Sequence, residues 1–324
     1  MQRVSAVGIG ALATAILVAS CGASRLSPHA PTAQREPRAV VANSGCVSCH
    51  EDIGREWRAS NHAEAFRHGT FQTAYAIEPL PFCVGCHAPE TSAAQPSLPE
   101  SDLGVACVTC HVGGKRTAPQ GASGATKDAA CARCHEFPYP GETRLLQKTM
   151  SEHQHSGSSN VPCIDCHMLR TAGENGEKGA HTDHRFLASR SALLVRGAAK
   201  ITARRDGDMM FVTFTRGAVG HAFPTGDVFR RLRVSATSSR SQEGTATGAS
   251  REVVLDRQTK RSEEVDTRPF ADGRDTYVAT VPLDGMGDGV TWRVVYERIG
   301  HPTELEGSAA SVDGAIEVAH GALP

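Results

Sequence analysis

Residues 46–50 read CVSCH: two cysteines three apart, with a histidine directly behind the second. Three chemistries use such a cluster: a disulfide, a zinc site and covalent attachment of a c-type haem. The spacing returns at Cys83, Cys86 and His87, at Cys107, Cys110 and His111, at Cys131, Cys134 and His135, and at Cys163, Cys166 and His167. These five copies use ten of the eleven cysteines, whereas chance at these Cys and His frequencies gives roughly 0.02 copies. A disulfide within each pair suits an exported chain but leaves the histidines unexplained. Zinc needs two such pairs brought together, and five pairs do not divide evenly. Haem c uses every residue: both thiols add to the porphyrin vinyl groups, and the next histidine becomes an axial ligand of the iron. The motifs therefore predict five covalently bound haem c groups, with His50, His87, His111, His135 and His167 on the iron.

The leftover thiol is Cys21. Arg3 and a mostly apolar run from Val4 to Val18 form an export signal, too short for a comfortable membrane span. Val18, Ala19, Ser20 and Cys21 resemble a bacterial lipobox, which implies cleavage after residue 20 and lipidation of Cys21. The alternative is a plain signal peptide cut near Ala23. Residues 22–44, rich in Ala, Pro, Ser and Arg, have no apolar period and read as a tether. By the same resemblance, Gly22 behind the lipidated cysteine points to the outer membrane, with the body facing the periplasm or the cell surface.

At 324 residues the chain is long enough for about two domains. Aromatic residues are only 5% of it. Between Cys46 and His184 there is one motif per roughly 28 residues, too little polypeptide to wrap each porphyrin alone. The cofactors must pack on one another and supply the burial that side chains do not. The formal net charge of −1 offers no electrostatic footprint for nucleic acid.

Ten histidines lie outside the motifs. His29 falls in the tether, and His301 and His320 fall near the chain end; all three read as solvated. Seven remain for five irons, which suggests mostly bis-histidine coordination. Residues 51–69 read as one helix, with Ile53 and Trp57 four apart, His62 and Phe66 four apart, and Gly69 as its stop. His62 is the preferred ligand there, and His68 either ligates or stabilises the helix end as an imidazolium. In "ETRLLQKTMSEHQHSG" (142–157), Leu146, Met150 and His153 share a helical face, so His153 is preferred to His155. Behind a Gly-rich loop lie His181 and His184. The reading favours His184, with Phe186 nearby to cover a porphyrin face, although two meeting haem edges would use both.

The stretches "CVSCHEDIGREWRASNHAEAF" (46–66), "GVACVTCH" (104–111), "TMSEHQHSG" (149–157), "CIDCHM" (163–168) and "HTDHRF" (181–186) resemble the multihaem cytochromes of cytochrome c-554 type, over roughly residues 44–235. The resemblance implies electron transfer through closely packed haems, mostly with two histidines per iron. Some members leave one iron open for a small nitrogen or sulfur substrate. "HAFPTG" at 221–226 is similar to the H-x-x-P-T-G turn by which related proteins bring a distal histidine to a haem, which implies that role for His221. A turn histidine serving the domain interface is the alternative.

Beyond Ser189 no cysteine occurs, and the apolar period changes to two. Asp206 and Gly207 sit at the turn of a predicted hairpin, and "RRLRVSA", "DTYVATVP" and "TWRVVYER" continue a short-strand rhythm. The expectation is α+β: residues 45–189 as a helical or irregular pentahaem domain, then residues 190–324 as a β-sandwich-like domain. Arg230, Arg231 and Arg233 are candidate partners for haem propionates. The favoured function is electron transfer between redox partner proteins. The competing class is a haem oxidoreductase with one open iron, acting on a small nitrogen, sulfur or peroxide substrate.

Overall fold

The computed structural model describes residues 38–91, 98–112, 128–173, 180–238, 248–260, 263–300 and 311–323. The export signal with Cys21, most of the tether, His29 and His301 lie outside these residues.

Every motif falls on a short helix. The first lies in the last turn of α1 (Ala39–Cys49), and the others on α4 (Pro81–His87), α6 (Cys107–His111), α7 (Ala129–His135) and α9 (Cys163–His167). One helical turn puts residues three and four apart on one face, so both thiols and the histidine project together. Helix α1 starts inside the stretch read as tether. Its Ala39 and Asn43 are buried, and burial against the α6 region overrides a local composition that favours neither helix nor strand.

The long helix expected over 51–69 is two. Helix α2 (Glu51–Arg58) ends early, residues 61–67 form turns, and Gly69 opens α3 (Gly69–Ile77) instead of stopping a helix. The 142–157 stretch is also split: Leu146 lies on β2 (Leu145–Lys148), which pairs with β1 (Glu136–Pro138), and only Thr149–Gln154 is helical (α8). Glu136 enforces the break by accepting the N–H groups of Met150 and Ser151 at 2.9 and 3.2 Å. The apolar cluster of this half is small: Ala39, Trp57, Ala63, Leu103, Ala106 and Val108.

The second half carries the large side-chain core. Strands β5 (Ala199–Asp206), β6 (Met209–Arg216) and β11 (Thr276–Pro282) form one sheet in the order β11-β6-β5. Strands β7 (Arg230–Ser238), β8 (Ala249–Leu255), β12 (Val290–Ile299) and β13 (Val312–Leu323) form the other in the order β13-β12-β7-β8. All pairs are antiparallel. Met210, Val212 and Phe214 of one sheet, and Leu232, Val234 and Ala236 of the other, have no exposed surface. This period-two burial is that of a sandwich. Asp206 pairs with Met209, so the hairpin turn is Gly207–Asp208, with Gly207 at φ +57°.

A buried ionic network joins the halves. Arg268 is paired with Glu152 of α8 at 2.7 Å, with side chains 1% and 3% exposed. It also pairs with Asp266 at 2.7 Å and donates to the carbonyl of Pro224 at 2.7 Å. Thr225 donates to Glu152 at 2.5 Å, so the turn beginning at His221 is tied to the motif-bearing half. Removing one partner leaves a buried charge uncompensated. The Arg268→Ala variant is expected to lose about 3–5 kcal/mol of stability, read as a lower denaturant midpoint, with Glu152→Gln losing less because its amide still hydrogen-bonds.

Candidate haem sites

Three motif histidines face a histidine from elsewhere in the chain across nearly the same gap. The ring centroids of His135 and His62 are 6.4 Å apart, those of His111 and His184 6.2 Å, and those of His167 and His221 6.2 Å. The rings of His167 and His221 are almost parallel, at 7°. These separations exceed ring stacking. A metal bound at about 2 Å to one nitrogen of each ring places two imidazole centroids about 6 Å apart, so the pairs fit an iron with two axial histidines.

Hydrogen bonds set the ring faces. Nδ1 of His167 lies 2.6 Å from the carbonyl of Leu187, and Nδ1 of His221 lies 2.9 Å from that of Ala222. A ring donating from Nδ1 keeps its lone pair on Nε2, the state a metal ligand needs. His184 is arranged likewise, with Nδ1 2.6 Å from the Thr182 carbonyl and its backbone N–H on Glu56 at 2.9 Å. Burial pushes His62, His135 and His221 down to about 4, and the nearby Arg230 cation adds to the effect at His135. All three are therefore neutral at pH 7 and keep a lone pair for a metal.

His62 is positioned by its backbone. Its carbonyl accepts the Val105 N–H at 2.8 Å, and Phe186 packs edge-on to its ring at 4.3 Å. Its Nδ1 is buried without a hydrogen-bond partner among the described residues, as is Nδ1 of His181. An unpaired buried ring nitrogen is costly in an empty cavity and is relieved by a ligand. His181 also meets Glu56 through Nε2 at 3.0 Å. Glu56 thus orients both histidines of the 181–184 segment, a role that sequence reasoning did not single out.

The remaining candidates are placed differently. His87 holds the Ala65 carbonyl through Nδ1 at 2.6 Å and stacks on Phe71 at 3.8 Å. His50 caps the end of α1 and is exposed. The two ring nitrogens of His153 lie 2.8 Å from the Gly220 carbonyl and 3.0 Å from the Val161 carbonyl. His153 latches the turn that carries His221. His68 stands at the start of α3, 4.0 Å from Asp313, not at a helix end where an imidazolium would be favoured. Arg231 and Arg233 are paired with Glu297, at 2.7 and 2.9 Å, and Arg230 with Asp227 at 2.7 Å. The ten described cysteines form no disulfide with one another.

Gly104 closes the His62 site, since at its φ of +55° an added Cβ would lie 2.3 Å from the His62 carbonyl oxygen. Gly104→Ala must displace that backbone, and a loss of about 1–3 kcal/mol in stability is expected from the strain. The signature of a His62 effect is a spectral change at one site only.

Residues 45–112, spanning the first three motifs, match the family model described as cytochrome c554 and c-prime. No curated protein matches the chain. Among solved structures, a penta-heme cytochrome c552 from Thermochromatium tepidum is similar in fold, with a TM-score of 0.62 and 19% identity over 86% of this chain and 97% of that one. MtrC from Shewanella baltica OS185 aligns with a TM-score of 0.20 and 14% identity, over 87% of this chain and 45% of that one. The family match covers three of the motif helices and the fold is similar to that of the penta-heme cytochrome c552, so the chain resembles the multihaem cytochromes c.

Proposed function

We propose that the chain binds five haem c groups and passes electrons between redox partner proteins, with His62, His184 and His221 as sixth ligands opposite His135, His111 and His167. The observation that carries this reading is the common gap of 6.2–6.4 Å in three independent pairs, each joining a motif histidine to one from outside the motifs. The five motifs, and a neighbour of the same fold whose name specifies five haems, support the count. Bound haem supplies one-electron redox chemistry, tuned by its axial ligands and its burial.

The chain's own residues do the rest. Ten cysteines would fix the cofactors covalently, and the three facing histidine pairs would hold three of the irons. Irons held between two histidines offer no place for a substrate, which at those three sites favours a carrier over an oxidoreductase. The backbone carbonyls of Leu187, Thr182 and Ala222 hold the imidazoles in one orientation, so little rearrangement accompanies a change of charge. The export signal supports a location outside the cytoplasm, and Cys21 supports a lipid anchor in the outer membrane.

In holo-protein matured with its haems, His62→Ala, His184→Ala and His221→Ala are each expected to convert one low-spin iron into a high-spin, carbon monoxide-binding one. The haem number by mass should stay unchanged. Spectra unaltered in all three variants would remove the assignment. Cys21→Ser is expected to move the protein from the membrane to the soluble fraction of producing cells; unchanged membrane retention would remove the lipid anchor.

A further inference from the structure

Two motif helices open directly on the first cysteine of their motif, behind residues that cannot cap them. Helix α6 begins after Ala106 and α9 after Pro162, and neither side chain has an acceptor for the amides left unpaired at a helix start. The acceptors come from elsewhere in the chain. Oδ1 of Asn43 accepts the Cys107 N–H at 3.0 Å, and Oδ1 of Asp128 accepts the Cys163 N–H at 3.0 Å. Both Asn43 and Asp128 are 3% exposed.

The two contacts are one device used twice. Asn43 stands three residues before Cys46, and Asp128 three residues before Cys131. Each therefore leads into its own motif while capping the helix of another. Leu80 and Gly104 hold the same position ahead of Cys83 and Cys107 and carry no acceptor, while Asn160 ahead of Cys163 is exposed.

We propose that Asn43 and Asp128 are positioning residues that lock the motifs into two pairs, first with third and fourth with fifth, and so fix the spacing of the cofactors within each pair. The proposal rests on the haem reading above. A buried hydrogen bond to the first cysteine's amide fixes the start of the helix that bears both thioether bonds. Loss of the acceptor leaves that amide buried and unpaired, and the helix start is free to shift against its partner motif.

The test uses the full-length holo-protein. Soret circular dichroism reads coupling between neighbouring haems, while mass and paramagnetic resonance read haem number and spin state. Asn43→Ala and Asp128→Ala are each expected to lose part of the split Soret signal, and the double variant most of it, with haem number and low-spin state retained. Asp128→Asn keeps an accepting oxygen and is expected to keep the full signal. An unchanged split signal in the fully haemed double variant would overturn the proposal. So would Asp128→Asn losing as much as Asp128→Ala, because the effect would then belong to charge. Should an alanine variant fail to mature, Asp128→Asn alone decides, in the same two directions. A wild-type protein without five haems would instead overturn the haem reading beneath it.

Discussion

The structure of the first half depends on a gap between pairs of imidazoles. His135 and His62, His111 and His184, and His167 and His221 stand 6.2–6.4 Å apart at their ring centres, a spacing too wide for contact and right for a shared iron. Burial holds His62, His135 and His221 neutral, and backbone carbonyls aim the His167, His221 and His184 nitrogens. The small cluster around Trp57 is slight beside the core of the β half. Covalent cofactors packed into such a region add apolar burial that its short helices do not provide.

The β domain holds the distal side of one such pair. The turn from His221 to Asp227 is fixed from both directions: Arg268 and Thr225 reach Glu152, and His153 and Ser156 hold the Gly220 carbonyl at 2.8 and 2.9 Å. The sandwich thereby delivers His221 into the motif-bearing half, facing His167. The ionic network is a device for placement, since a buried ion pair costs desolvation and adds little net stability, but its loss is severe.

The motif cysteines and histidines were legible in the sequence because they recur at one fixed local spacing, and each motif falls at a short helix. The sandwich was legible from alternation along Leu232, Val234 and Ala236. Distal residues were less so, because their role is set by contacts distant in sequence. His62 and His184 were favoured from local patterns, and His221 from the likeness of its turn to that of related proteins; all three face a motif histidine. His153 was favoured from a helical face that includes Leu146, but Leu146 lies on a strand, and the ring became a latch on Gly220. Gly69 reads as a helix stop by composition, yet it opens α3, because the chain turns at Ser60 to bring the His62 carbonyl to Val105. Asn43 and Asp128 left only a faint trace, an acceptor three residues ahead of a cysteine, which burial alone separates from Asn160.

The central claim is that most irons here are held between two histidines. The most direct measurement is near-infrared magnetic circular dichroism of the fully oxidised holo-protein, where the ligand-to-metal band identifies the axial pair. The account predicts a spectrum dominated by the bis-histidine band. Dominance of histidine–methionine or high-spin bands would contradict it.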